Sequence, residues 1–475
     1  MAPATELSDD LAEEILLRFP PDDPARLARA ALACRRACRL VADPGFRRRF
    51  REFHGAPPML GFFRNTTRAR FVRRPWSFVM GREQDLEGPL VVARFVPTSS
   101  SCLARTDLRD WRVVDARHGR VLLHWGNSRR LAVWDPMTCE KRGLPIMPVS
   151  LCPDNWNAAV FCATAGCNHL DCHGNRFTVV FLVIKEMKVF DYVFSTEDVV
   201  WSCPPNPGSQ RHDGHLPLEP SALVGNALYF VLQPDNRILE YNVGTREMTV
   251  IRLPSGCFSE QRIVLMTTED GGLGVATVRQ SKLCLWSREI GSTSEKDAGW
   301  AQRRVIDLKT LPIRSLSTSP VVAGYASGIN VIFVRTCDVL FMIDLKSSRV
   351  KKVCREVTGA SSVFPYMSFY YPVLGGVSTG DGSRGASSAR PCHCGLAFGP
   401  VAQGGDEDSD IGGCEHSHDH GIDDDDNESE TTMSDADDDD DNEAMEGDED
   451  DEDGVEAYLT SLLFLLLAAS GGELP

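Results

Sequence analysis

Three stretches of the chain share one pattern: Leu131-Ala-Val-Trp-Asp135-Pro-Met-Thr-Cys-Glu140, Ile238-Leu-Glu-Tyr-Asn242-Val-Gly-Thr-Arg-Glu247 and Leu340-Phe-Met-Ile-Asp344-Leu-Lys-Ser-Ser-Arg349. Each is a short apolar run that ends on an acidic or amide residue and passes into turn chemistry. Each therefore reads as a strand, a tight turn and the start of the next strand. With two weaker copies, at Phe190-Asp191-Tyr192 and Leu285-Trp286-Ser287, the steps from Asp135 are 56, 51, 45 and 57 residues. A unit repeating at roughly 40 to 50 residues with loops of variable length is the signature of a β-propeller, and about six or seven blades fit.

Around these copies, residues 76–374 are built of short β-rich runs such as Val121-Leu-Leu-His-Trp125, Phe177-Thr-Val-Val-Phe-Leu-Val183 and Val331-Ile-Phe-Val334, punctuated by Gly, Pro, Asn and Asp. Gly271-Gly272-Leu-Gly274 has the look of a phosphate loop. It follows Thr267-Thr-Glu-Asp270 and precedes a β-run, so it reads as a hairpin turn.

Residues 1–54 have a different texture. Ser8, Asp9 and Asp10 offer capping oxygens, and Leu11, Ile15 and Phe19 recur every four residues. Pro20-Pro21 stops that helix and Asp23-Pro24 starts another, with Leu27, Ala30, Ala31, Cys34 and Cys38 as its stripe. After Asp43-Pro44-Gly45, Phe46, Phe50 and Phe53 fall at helical spacing. A unit this small buries little core alone, so its apolar face asks for a partner.

The formal charge of −17 is an average of two unlike parts, because residues 406–456 hold 27 of the 67 acidic groups and no Lys or Arg. Residues 1–405 are about +11. The division expected is a helical unit at 1–54, a basic linker at 55–75, a β domain at 76–374, a Gly/Ser-rich then acidic disordered tail at 375–456, and a short apolar segment at 457–475. That last run, Ala457 to Ala469, is too short to cross a bilayer, so no membrane is expected as a partner. The first residues lack the basic and apolar regions of a secretory signal, which points to the cytoplasm or nucleus and to reduced thiols for the 16 cysteines. The Asn65-Thr66-Thr67 sequon then goes unused.

Leu7-Ser-Asp-Asp-Leu11, Glu14-Ile15-Leu16, Arg18-Phe19-Pro20, the run from Leu27 to Arg36, and Leu40-Val41-Ala-Asp43-Pro44-Gly-Phe46 together resemble an F-box. Downstream, Cys167-Asn-His-Leu-Asp-Cys-His173, the stretch from Ile263 to Gly272 and Gly299-Trp-Ala-Gln-Arg-Arg304 resemble the associated domain of grass F-box proteins. The resemblance implies a non-catalytic substrate-receptor subunit of a ubiquitin ligase. Its helical unit would dock on a Skp-type adaptor, and through it on cullin and RING subunits, while the β domain selects a protein substrate. Leu7, Leu11, Ile15, Leu16, Leu27, Leu32, Leu40 and Val41 would supply the adaptor contacts, with Arg26, Arg29, Arg35, Arg36 and Arg39 as a basic rim. A second reading stays open: a nuclear interaction protein whose acidic tail grips basic partners such as histones, with a vestigial F-box.

Cys162, Cys167, His169, Cys172 and His173 supply enough sulfur and nitrogen for zinc, but their spacing matches no finger pattern. They are weak metal candidates, and the expectation is an inter-blade loop with its thiols reduced. No other cofactor is indicated. Arginines at residues 64–74 suggest polyanion binding; joining two domains, the stretch reads as a solvated linker, and nucleic acid is not expected as a partner.

Overall fold

A computed structural model describes residues 8–371 except 69–89, 99–106, 127, 148–154, 165, 173–175, 204–213, 235–236, 254–260, 290–298, 311–319, 337–338 and 356–361. In chain order its strands are β1 (Met59–Arg68), β2 (Leu90–Pro97), β3 (Asp107–Arg109), β4 (Trp111–Arg117), β5 (Arg120–Trp125), β6 (Leu131–Trp134), β7 (Lys141–Gly143), β8 (Trp156–Cys162), β9 (Phe177–Lys185), β10 (Lys188–Ser195), β11 (Trp201–Ser202), β12 (Ala222–Val224), β13 (Ala227–Leu232), β14 (Arg237–Asn242), β15 (Met248–Ile251), β16 (Ile263–Thr267), β17 (Leu273–Arg279), β18 (Lys282–Arg288), β19 (Trp300–Asp307), β20 (Val321–Ala326), β21 (Val331–Arg335), β22 (Val339–Asp344), β23 (Val350–Arg355) and β24 (Val363–Met367). They form six four-stranded antiparallel sheets, the six blades of a propeller. Five blades are consecutive strands from β4 to β23, and the sixth has the order β24-β1-β2-β3. The last strand thus closes the ring on the first, with Phe63 of β1 opposite Phe364 on one side and Phe95 on the other.

The repeat marks the same place in three blades. Asp135, Asn242 and Asp344 each stand where the third strand hands over to the fourth. Their backbone N–H groups donate to Glu140, Glu247 and Arg349 carbonyls at 2.9, 2.9 and 3.0 Å. Their Oδ1 atoms accept from the amides of Met137, Gly244 and Lys346 at 2.8, 2.9 and 2.7 Å. In all three the fifth residue of the turn is left-handed, at Cys139 (φ 59°), Arg246 (61°) and Ser348 (59°).

The two weaker copies fall short of their corners, by four residues at Asp191 and by two at Ser287. Asp191 lies inside β10, buried, where Tyr241 and Arg246 of the next blade donate to its Oδ2 at 2.9 and 2.7 Å. The corner there is Ser195, whose carbonyl accepts from left-handed Val199. Ser287 is likewise buried within β18, accepting from Arg303 at 2.6 Å, and the equivalent corner is Glu289, whose amide donates to Gly299. A polar residue after an apolar run marks a turn only when no neighbouring strand satisfies it.

The linker assigned to 55–75 is a second correction, since β1 lies within it. Asn65 is buried and exchanges two hydrogen bonds with the Val113 backbone, at 2.8 and 2.9 Å, which removes the sequon's acceptor side chain from solvent. Arg64, read as part of a solvated run, is buried as well. An Arg-Asn-Thr run hides a strand from hydrophobic periodicity because its polar groups are paired rather than exposed. The rest of the basic run, from residue 69, lies outside the described residues, as do the tail and the apolar end.

Before β1 come α1 (Asp9–Leu17), α2 (Pro24–Ala33), α3 (Arg35–Ala42) and α4 (Pro44–His54). Ser8 caps α1 by accepting from Leu11 N–H at 3.3 Å, and Asp43 caps α4 by accepting from Phe46 N–H at 2.8 Å, with Pro44 following. Gly55 ends α4 at φ 71°. Asp23 makes no capping bond and instead accepts from Arg26 at 3.1 Å. The buried face of α1 is Ala12, Leu16 and Leu17, turned away from the expected Leu11 and Ile15 stripe. Among the described residues no helix is long and apolar enough to cross a membrane.

Candidate functional site

Antiparallel order puts the first-to-second and third-to-fourth connections of every blade on one face of the ring, and the helices enter on that face through Gly55, Ala56 and Pro57. A cavity of about 300 Å³ opens there on the axis, between these three residues and the ends of β4, β16, β20 and β24. Its polar wall is made of ties between blades. Asp115 accepts from Val160 N–H at 2.9 Å and faces Arg117 at 3.4 Å, while Arg117 donates to the carbonyl and hydroxyl of Ser221 at 2.9 and 3.2 Å. Burial raises the Asp115 pKa, opposed by the Arg117 charge and the amides of Val160 and Ala116. Across the cavity Tyr325 donates to the Thr267 carbonyl at 3.0 Å.

One wall is the loop after β8. His118 and His169 stack with centroids 3.8 Å apart and planes 3° from parallel, and His118 Nδ1 accepts from Cys162 N–H at 3.2 Å. Burial, then the neighbouring His169, Arg117 and Arg120, pull His118 down to about 3, so it is neutral. Cys162, Cys167, His169 and Cys172 converge here, their ligand atoms all within 4.8 Å of one another. Cys172 Sγ lies 3.6 Å from Cys167 Sγ and 3.5 Å from His169 Nδ1. Burial and the two neighbouring thiols push Cys172 up; for Cys162 burial does the same, but hydrogen bonds led by Thr164 outweigh it and leave that thiol below its ordinary value. Cys162, Cys167 and Cys172 are free thiols, and the loop is a folded cluster rather than the bare connection expected. His173 lies outside the described residues.

The same loop meets the helices. Leu170 packs on the helical core, and Asp171 pairs with Arg51 at 2.8 Å. Phe50 sits edge-on to Phe369 and Tyr371, each 6.1 Å away, and Tyr371 donates to the Arg47 carbonyl at 3.1 Å. α4 is therefore the face that binds the ring, with Phe46 and Phe50 buried while Phe53 is exposed.

Of the residues expected at an adaptor interface, Leu16, Leu27 and Val41 are buried in the helical unit's own core, where they hold the four helices together. Ile15 and Leu40 are part-buried at its edge. Leu11 and Leu32 are 49% and 64% exposed. Leu7 lies outside the described residues. In the basic rim, Arg36 pairs with Asp9 and Arg26 with Asp23, while Arg29, Arg35 and Arg39 are exposed. Sequence reading missed Asp115, Arg117 and His118, which the chain spaces as an ordinary strand end; beyond the Asp115–Arg117 pair, their partners Val160, Ser221 and Cys162 lie one or two blades away and leave no local signal.

A family model described as "F-box protein AT5G49610-like, beta-propeller" matches residues 112–374. No curated protein matches the chain. Among solved structures, a chain of the nidogen/laminin complex aligns at TM-score 0.36 and 8% identity, over 65% of this chain and 99% of its own. Apo AztD from Citrobacter koseri aligns at 0.31 and 9%, over 65% and 99%.

Proposed function

Because the chain belongs to the family of F-box proteins with an AT5G49610-like β-propeller, we propose that it is a non-catalytic substrate-receptor subunit of a Skp-cullin-F-box ubiquitin ligase, working in the cytosol or nucleus. The observation that carries this reading is the division of labour within the helical unit. α4 is committed to the ring, and Leu11 and Leu32 are left exposed on α1 and α2, with exposed Arg29, Arg35 and Arg39 nearby in sequence. Exposed leucines on short helices suit an apolar groove, and the arginines suit an acidic partner. The adaptor then takes the helices, and the ring face opposite them, where second strands pass to third, is free to hold a protein substrate. What such a subunit contributes is effective concentration, since the ubiquitin chemistry belongs to other subunits.

The test is co-purification of the full chain with a Skp-type adaptor and cullin. Leu11→Asp combined with Leu32→Asp should abolish adaptor capture, since each puts a charge into an apolar contact at a cost of several kcal/mol. Both positions are exposed in the free chain, so its thermal midpoint should stay put. Adaptor capture by the double variant equal to that of the parent, or its absence from the parent, would refute the reading.

A further inference from the structure

We propose that Cys162, Cys167, His169 and Cys172 bind one structural zinc ion, which fastens the helical unit to the ring. The geometry is that of a four-ligand site. Tetrahedral zinc, with bonds of ~2.3 Å to sulfur and ~2.0 Å to nitrogen, requires ~3.8 Å between sulfurs and ~3.5 Å between sulfur and nitrogen. The Cys167–Cys172 and Cys172–His169 separations of 3.6 and 3.5 Å sit close to those edges, and all four donor atoms lie within 4.8 Å of each other. Three thiols and one imidazole are borderline-soft donors, which suit zinc and not magnesium or calcium. Four protein ligands leave no open position, so the site is structural.

The surroundings fit a bound metal. His169 N–H donates to Cys167 Sγ at 3.4 Å, a bond that eases charge on a thiolate, and the His118 ring stacked on His169 fixes the orientation of that ligand. Three thiolates and a divalent ion carry one net negative charge, and Arg120 acts electrostatically on both histidines. The site's place in the fold gives it a role. Cys162 ends an inner strand of the ring, whereas Leu170 and Asp171, between the third and fourth ligands, touch the helical core and Arg51. Metal binding therefore fixes the loop that joins the two parts, and this holds whatever the helices bind.

Zinc per chain is measured by elemental mass spectrometry on the full-length protein purified without chelator, and cobalt(II) absorption is followed after the zinc is exchanged out. Cys and His residues beyond residue 391 could bind metal on their own account, so the readout is a difference between variants. Cys172→Ser should carry one zinc fewer than the parent and lose the thiolate-to-cobalt band, while Cys139→Ser, at an exposed corner elsewhere, should match the parent. If Cys172→Ser does not fold, His169→Cys decides: it should keep the metal and move the cobalt bands toward those of a four-sulfur site. A parent without zinc and without cobalt bands, a folded Cys172→Ser with the parent's zinc content, or a His169→Cys spectrum identical to the parent's overturns the proposal.

Discussion

His124 shows how much one buried side chain can say about the pH range of a fold. It is buried in β5, edge-on to Trp156 at 4.9 Å, with Nε2 2.7 Å from the Ser128 carbonyl. Burial lowers its pKa to about 4, although the Ser128 carbonyl pulls the other way. The unfolded chain takes up this proton near 6.5 and the folded chain refuses it until about 4. Its contribution to stability is therefore complete above the unfolded value and declines as pH falls from 6.5 toward 4, by roughly 3 kcal/mol over the window. His124→Gln keeps a donor for Ser128 and does not titrate. Its urea midpoint should fall less than the parent's between pH 6.5 and pH 4, with the two curves running parallel above pH 7.

At the scale of elements, the corner between third and fourth strands is the unit from which the ring is written. In Asp135-Pro-Met-Thr-Cys-Glu140 the Asp135 carboxylate holds two turn amides, of Met137 at 2.8 Å and Thr138 at 3.4 Å, and Cys139 takes the left-handed conformation. Asp135→Ala should cost ~1 to 2 kcal/mol by leaving those amides without their acceptor. Cys139→Gly should add ~0.5 to 1 kcal/mol, because glycine adopts a positive φ without a Cβ clash. Opposite shifts of the urea midpoint check the pair, and shifts of the same sign would reject this account of the turn. These corners were legible because their chemistry is local, and so was the cap at Ser8, whereas Asp23, expected to cap α2, turns to Arg26 instead. What stayed hidden depends on distant partners. β1 looked like a linker because the polarity of Asn65 and Thr66 is answered 48 and 26 residues away, by Val113 and Val92. The metal-type cluster failed a spacing test because Cys162 belongs to a strand and the other three ligands to the loop that folds back over it. Helix faces were placed to within one position, enough to mistake buried Leu16, Leu27 and Val41 for a contact surface beside exposed Leu11 and Leu32.

For the whole molecule the decisive feature is closure. β24 pairs with β1, and its Tyr366 hydroxyl donates to the Gly119 carbonyl at 3.1 Å, so the final strand ties together both ends of the ring. A chain ending at residue 375 should keep the parent's cooperative melt, whereas one ending at 358 should lose it, the exposed edge of β1 favouring aggregation. Intact cooperative melting of the shorter chain by calorimetry would count against closure by β24. The same feature sets a timetable during synthesis. Nearly 300 residues separate β1 from β24, and at ~5 to 20 residues per second the ribosome leaves β1 waiting ~15 to 60 s for its mate. The docking aromatics Phe369 and Tyr371 emerge later still. A nascent chain can thus offer its helices before they have any ring to sit on, and only a translated and closed ring gives α4 its seat, so the posture of the N-terminus certifies that the C-terminal strand has arrived.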